Sequence, residues 1–83
     1  MNTESYDLDE MGWFKFADGA TTADLMVDFG AAVAKLSVSE PAADAGGHYL
    51  LAGRAMKVQP PLICWVRAAA PGTRISVSNY AAA

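Results

Sequence analysis

A chain of 83 residues with one cysteine (Cys64) and one histidine (His48) can be stapled neither by an internal disulfide nor by a four-ligand zinc site. Its net charge of −3 lacks the surplus of Lys and Arg that phosphate binding needs, which argues against nucleic acid as a main partner. No apolar run approaches the roughly 18 residues required to span a bilayer, and the longest, around Pro60 to Val66, opens with two prolines.

Size makes the core the central difficulty. A chain this short buries only about 60% of the surface its unfolded form exposes. Hydrophobic residues make up 53% of the sequence, but alanine fills 17 of the 83 positions and brings little burial energy per residue. With no cross-link available, assembly is the remaining source of stability.

Residues 1–12 carry acids and Met11-Gly12 without sustained periodicity, and are expected to form an extended, acidic N-terminal arm ahead of a single β-domain over 13–83. The same stretch is polar and acidic where a secretory signal would be basic and then apolar, so none is expected. Trp13-Phe14-Lys15-Phe16 reads as a strand with Phe14 and Phe16 on one face, broken by Asp18-Gly19.

Thr21 to Ser39 supports two readings. Leu25, Phe29, Val33 and Leu36 fit a helical spacing, with Thr21 or Thr22 as cap. Leu25, Val27 and Phe29, then Ala34, Leu36 and Val38, also alternate as two strands bent at Gly30. The serine alternation and the glycine in mid-pattern favour strands.

Glu40 to Gly47 is a loop, followed by a short strand from His48 to Ala52, a tight turn at Gly53-Arg54, and a strand from Ala55 to Gln59 in which Met56 and Val58 alternate with Lys57 and Gln59. Pro60-Pro61 ends it. Leu62 to Ser78 is expected to be a β-hairpin: Ile63–Ala68 is β-branched and aromatic, Thr73–Ser78 alternates strictly, and Ala70-Pro71-Gly72-Thr73 suits a type II turn. The sum is an all-β chain, a small antiparallel β-sandwich or barrel of six to seven short strands.

The charges are unevenly spread. Residues 1–28 hold seven of the nine acids against Lys15 alone, whereas residues 29–83 hold Glu40 and Asp44 against Lys35, Arg54, Lys57, Arg67 and Arg74. That split favours docking of the acidic segment on the basic part of the same or a neighbouring subunit. The candidate interface is therefore Asp7, Asp9 and Glu10 on the arm, the aromatic group Trp13, Phe14 and Phe16, and Arg54, Arg67 and Arg74, with Arg67 and Arg74 near one another across the hairpin.

Catalytic chemistry finds little support. Cys64 and His48 are the one obvious nucleophile and base, but Cys64 lies in mid-strand beside Trp65, where an inert thiol is expected. Asp7-Leu8-Asp9-Glu10-Met11-Gly12 imitates the start of a calcium loop, yet Met11 replaces its fifth-position ligand and Asp18 stands where a bidentate Glu belongs. Gly46-Gly47 lacks the Lys and Ser or Thr of a phosphate loop. No metal, cofactor or catalytic residue is expected.

Gly47-His48-Tyr49-Leu50-Leu51-Ala52-Gly53, Trp65-Val66-Arg67-Ala68 and Gly72-Thr73-Arg74-Ile75-Ser76-Val77-Ser78 before a very short tail give the last 40 or so residues a likeness. The chain resembles the small β-rich structural proteins of tailed bacteriophage particles, the decoration, cement and head or tail adaptor class. The resemblance implies a compact sandwich or barrel, symmetric self-association, contact with a major capsid or tail protein, a place in the virion, and no catalysis. Two other classes stand beside it: a carbohydrate- or host-receptor-binding module of a tail using Trp13 or Tyr49, and a small acidic inhibitor of a host protein.

Overall fold

A computed structural model describes residues 2–10, 12–42 and 46–80. The described residues form eight strands: β1 (Asn2–Asp7), β2 (Phe14–Asp18), β3 (Thr22–Phe29), β4 (Ala31–Leu36), β5 (His48–Leu51), β6 (Ala55–Val58), β7 (Ile63–Ala68) and β8 (Arg74–Tyr80). They make two four-stranded sheets, a front sheet in the order β1-β8-β3-β6 and a back sheet in the order β2-β7-β4-β5. Every neighbouring pair is antiparallel. Only the β4–β5 connection stays within a sheet; the other six cross between them, which is the winding of an eight-stranded jelly roll. Among the described residues no helix is long and apolar enough to cross a membrane.

The all-β expectation holds, as a sandwich. Thr22 to Leu36 is two strands, and Gly30 is the bend between them, at φ 79° in the left-handed region that glycine enters without penalty. The inward faces meet as Ala23, Leu25 and Val27 of β3 and Ile75 and Val77 of β8, against Ala32 and Ala34 of β4 and Cys64 and Val66 of β7. Alanine occupies many of these sites, so the sheets close on a thin core with few large side chains.

Three expectations are corrected. The segment Leu62 to Ser78 is not a hairpin. Its strands and its turn exist, with Gly72 at φ 76°, but β7 pairs with β2 and β4 while β8 pairs with β1 and β3. Alternating apolar residues report that each strand has one buried face; they do not say whether the two lie side by side or face to face. Arg67 and Arg74 consequently sit in different sheets rather than across a shared ladder.

Residues 1–12 are likewise not a free arm throughout. Asn2–Asp7 form β1, the edge of the front sheet, in register with β8 from Asn2↔Asn79 to Asp7↔Arg74. Leu8 and Asp9 then cross to the back sheet, the Leu8 amide donating to the Thr73 carbonyl and the Ala68 amide to the Asp9 carbonyl. The strand count is eight rather than six or seven for this reason.

Alternation also misplaces Phe29. A register shift between Val27 and Phe29 interrupts the β3–β8 ladder, and Phe29 ends up outside the core that Leu25 and Val27 enter.

Candidate interaction surfaces

The candidate interface residues are largely satisfied inside the subunit. On the front sheet, Arg74 donates from Nε to Asp7 Oδ1 at 3.1 Å, with both side chains well exposed. A bridge so open to water contributes about 0–1 kcal/mol. Around it runs a row of hydroxyls: Thr3 Oγ1 and Ser78 Oγ lie 2.6 Å apart, and Ser76 donates to Asp28 Oδ2 at 2.6 Å. One contact between the acidic and the basic parts of the sequence lies within the chain, where Asp7 of β1 faces Arg74 of β8.

At the edge where β1 and β2 lie, Tyr6 and Phe14 bring their rings to 4.5 Å and join the two sheets. Tyr6 donates its hydroxyl to Glu4 Oε2 at 2.6 Å, and that bond to a carboxylate raises its pKa above the ordinary value. Phe16 is buried and Phe14 packs against the core, so these two aromatics serve packing inside the subunit.

Outside the back sheet, two tryptophans hold the β4–β5 loop. Trp13 donates from Nε1 to the Ala42 carbonyl at 2.8 Å, and Trp65 from Nε1 to the Ser37 carbonyl at 3.0 Å. Lys35 adds a bond from Nζ to the Gly46 carbonyl at 3.4 Å. The Arg67 guanidinium stands 5.3 Å from the Trp13 ring centre, and the Lys15 ammonium 5.7 Å from that of Trp65. Trp13, with 8% of its surface exposed, is a strut under this loop rather than an open stacking platform. Of the remaining candidates, Glu10 and Arg54 project into solvent, and Asp9 is held by its backbone carbonyl.

Cys64 and His48 are not assembled into a dyad. Cys64 is buried on the inward face of β7, its pKa pushed up to about 11 by desolvation, while His48 is exposed at the start of β5, with β4 between the two strands. Asp18 binds the Ala20 and Thr21 amides at 2.9 and 3.3 Å, and the bond from Ala20 leads in lowering its pKa; it caps a turn. Among the described residues no group of three or more His, Cys, Asp or Glu side chains is placed to hold a metal ion.

Several features escaped the sequence reading. Val38, Phe29 and Tyr49 are 88%, 64% and 61% exposed, with Leu51 and Leu62 about half exposed. Tyr49 and Leu51 share the outer face of their strand, and Leu50 takes the core. The outside of the front sheet also forms an open groove of about 560 Å³, floored by Met26 and Ala55 and rimmed by Thr3, Ser78, Asp24 and Lys57. Comparison with protein-family models, with curated proteins and with solved structures finds no match.

Proposed function

We propose that this chain is a non-enzymatic structural subunit of a tailed-bacteriophage particle, a capsid decoration or cement protein that binds copies of itself and the capsid lattice. The observation that supports the reading is the pairing of a thin, alanine-rich core with large apolar side chains left in water. Val38, Phe29, Tyr49, Leu51 and Leu62 are side chains of the size that a small domain normally buries, and Val38 is almost wholly solvated. Burying them against neighbours adds the stability that the isolated core supplies sparingly. The jelly-roll winding is compatible with this role by analogy only, since viral capsid and lectin domains share it.

The glycan-binding alternative rests on Tyr49, because the β4–β5 loop covers Trp13. The experiment that separates the readings is quantitative mass spectrometry of density-gradient-purified particles from the culture that encodes the chain. A decoration protein is present in a fixed, high ratio to the major shell protein. Its absence from purified particles sinks the proposal.

A further inference from the structure

Each sheet of the sandwich ends in two strands with one neighbour apiece: β1 and β6 in the front sheet, β2 and β5 in the back sheet. The winding puts β1 and β2 on one flank, joined by the segment 8–13, and β5 and β6 on the opposite flank, joined by the turn at Ala52 to Arg54. An edge strand presents backbone donors and acceptors that another chain can pair with, and natural sheets shield such edges with charge, proline or bulges. Here the shielding is unequal. β2 carries a register shift between Lys15 and Ala17, whereas the β1–β8 and β3–β6 ladders run without one.

The two flanks differ in charge as well as position. Residues 2–18, which build the β1/β2 flank, hold Glu4, Asp7, Asp9, Glu10 and Asp18 against Lys15 alone. Residues 46–59, which build the β5/β6 flank, hold Arg54 and Lys57 and no acid. Exposed Tyr49 and Leu51 stand on that basic flank. Like flanks repel and unlike flanks attract, so a two-fold contact of either edge with itself is disfavoured relative to a head-to-tail one.

Strand direction agrees. With β1 antiparallel to β8, β8 to β3 and β3 to β6, β6 runs opposite to β1. A second copy placed beside the first in the same orientation therefore brings its β1 antiparallel to the first copy's β6, the geometry of strand addition.

We propose that copies of this chain associate head to tail along these flanks, β1 of one subunit pairing with β6 of the next, so that the front sheet continues from subunit to subunit. The inference rests on the assembly role proposed above and adds its direction and its symmetry class. A head-to-tail contact closes into a ring or runs on as a filament; it does not stop at a two-fold dimer.

The test is light scattering on the size-fractionated full-length chain, comparing wild type with Glu4→Lys, Lys57→Glu and the double variant, and with Arg54→Glu as a second probe of the basic flank. Circular dichroism of each establishes that it is folded. Wild type is expected to form species larger than dimers that grow with concentration. Each single charge reversal is expected to weaken association about tenfold or more, and the double variant, whose reversed flanks again attract, to recover most of the loss. A monomeric wild type overturns the inference, as does a folded basic-flank variant that assembles like wild type or a folded double variant that recovers nothing. A wild-type monomer found at high copy number in purified particles refutes the head-to-tail contact while leaving the structural role standing.

Discussion

The Trp13 indole donates its N–H to the Ala42 carbonyl at 2.8 Å, and this bond ties the β4–β5 loop across the outside of the back sheet. Trp13→Phe retains most of the buried ring and loses the donor, so it is expected to cost about 1 kcal/mol. Trp13→Ala also removes the ring over which Arg67 sits and is expected to cost about 3–5 kcal/mol. Urea denaturation measures both. Limited proteolysis supplies a local readout: cleavage between residues 37 and 47 is expected to accelerate in both variants, and equal rates in wild type and Trp13→Phe contradict the strap.

Thr73 joins two of the turns at one end of the sandwich. Its buried hydroxyl lies within bonding distance of the Ala31 and Ala70 carbonyls, at 2.9 and 2.7 Å, and accepts from the Ala31 amide at 3.3 Å. Thr73→Val keeps the shape and strands these polar groups, which is expected to cost about 1–3 kcal/mol, whereas Thr73→Ser retains the hydroxyl and costs less. The reverse order in chemical denaturation removes the hydroxyl's role.

Gly30 makes a related prediction from the other side of that contact. A methyl group added there meets Thr73 Oγ1 at 2.5 Å and Thr73 Cα at 3.0 Å, at a backbone angle unsuited to an L side chain. Gly30→Ala is therefore expected to destabilise by about 2 kcal/mol or more, read as a fall in urea midpoint. An unchanged midpoint means that the β3–β4 turn does not hold this conformation in solution.

Cys64 gives the fold a pH dependence with a defined sign. Desolvation raises the thiol from 9.0 to about 11, so the folded chain prefers the neutral form. Its contribution to stability is complete below pH 9 and declines as pH rises from about 9 to 11, by up to about 1.4 kcal/mol per pH unit. Cys64→Ala is expected to flatten that alkaline slope relative to wild type, and native Cys64 to resist a thiol reagent at neutral pH until denaturant is added. Rapid labelling without denaturant contradicts its burial.

How much of this was legible follows from what alternation encodes. Leu25 and Val27, Met56 and Val58, and Ile75 and Val77 were read as alternating with their neighbours on one face of a strand, and in each case that face is the inward one, because a half-buried strand writes its period of two into the sequence. Gly30 and Gly72 marked real bends for the same local reason. Partnership between strands is not local. Ile63–Ala68 and Arg74–Tyr80 look alike whether they pair or face one another across the core, and only the whole winding assigns them to different sheets. β1 was missed because an edge strand with one partly buried aromatic, Tyr6, leaves no apolar rhythm. Trp13 and Arg67 were singled out for chemistry that reaches outside the subunit, but their partners include the Ala42 carbonyl and each other, contacts across 29 and 54 positions that no spacing rule displays. The exposure of Phe29 was hidden by a register shift that its sequence does not announce.

Deleting the first strand tests the fold directly. Removing residues 1–7 takes away β1 and uncovers the edge of β8 beside Ile75 and Val77, so the truncated chain is expected to lose cooperative unfolding rather than to persist as a folded monomer. Differential scanning calorimetry decides it, and an intact transition near the wild-type temperature returns those residues to the status of a dispensable arm.

The most direct measurement for the account as a whole is the melting temperature and solution mass of the full-length chain, followed together from micromolar to millimolar concentration. If neighbours complete this thin core, mass and melting temperature rise together as the chain is concentrated. A mass fixed at 8.7 kDa with a melting temperature that ignores concentration contradicts the claim that self-association stabilises the subunit.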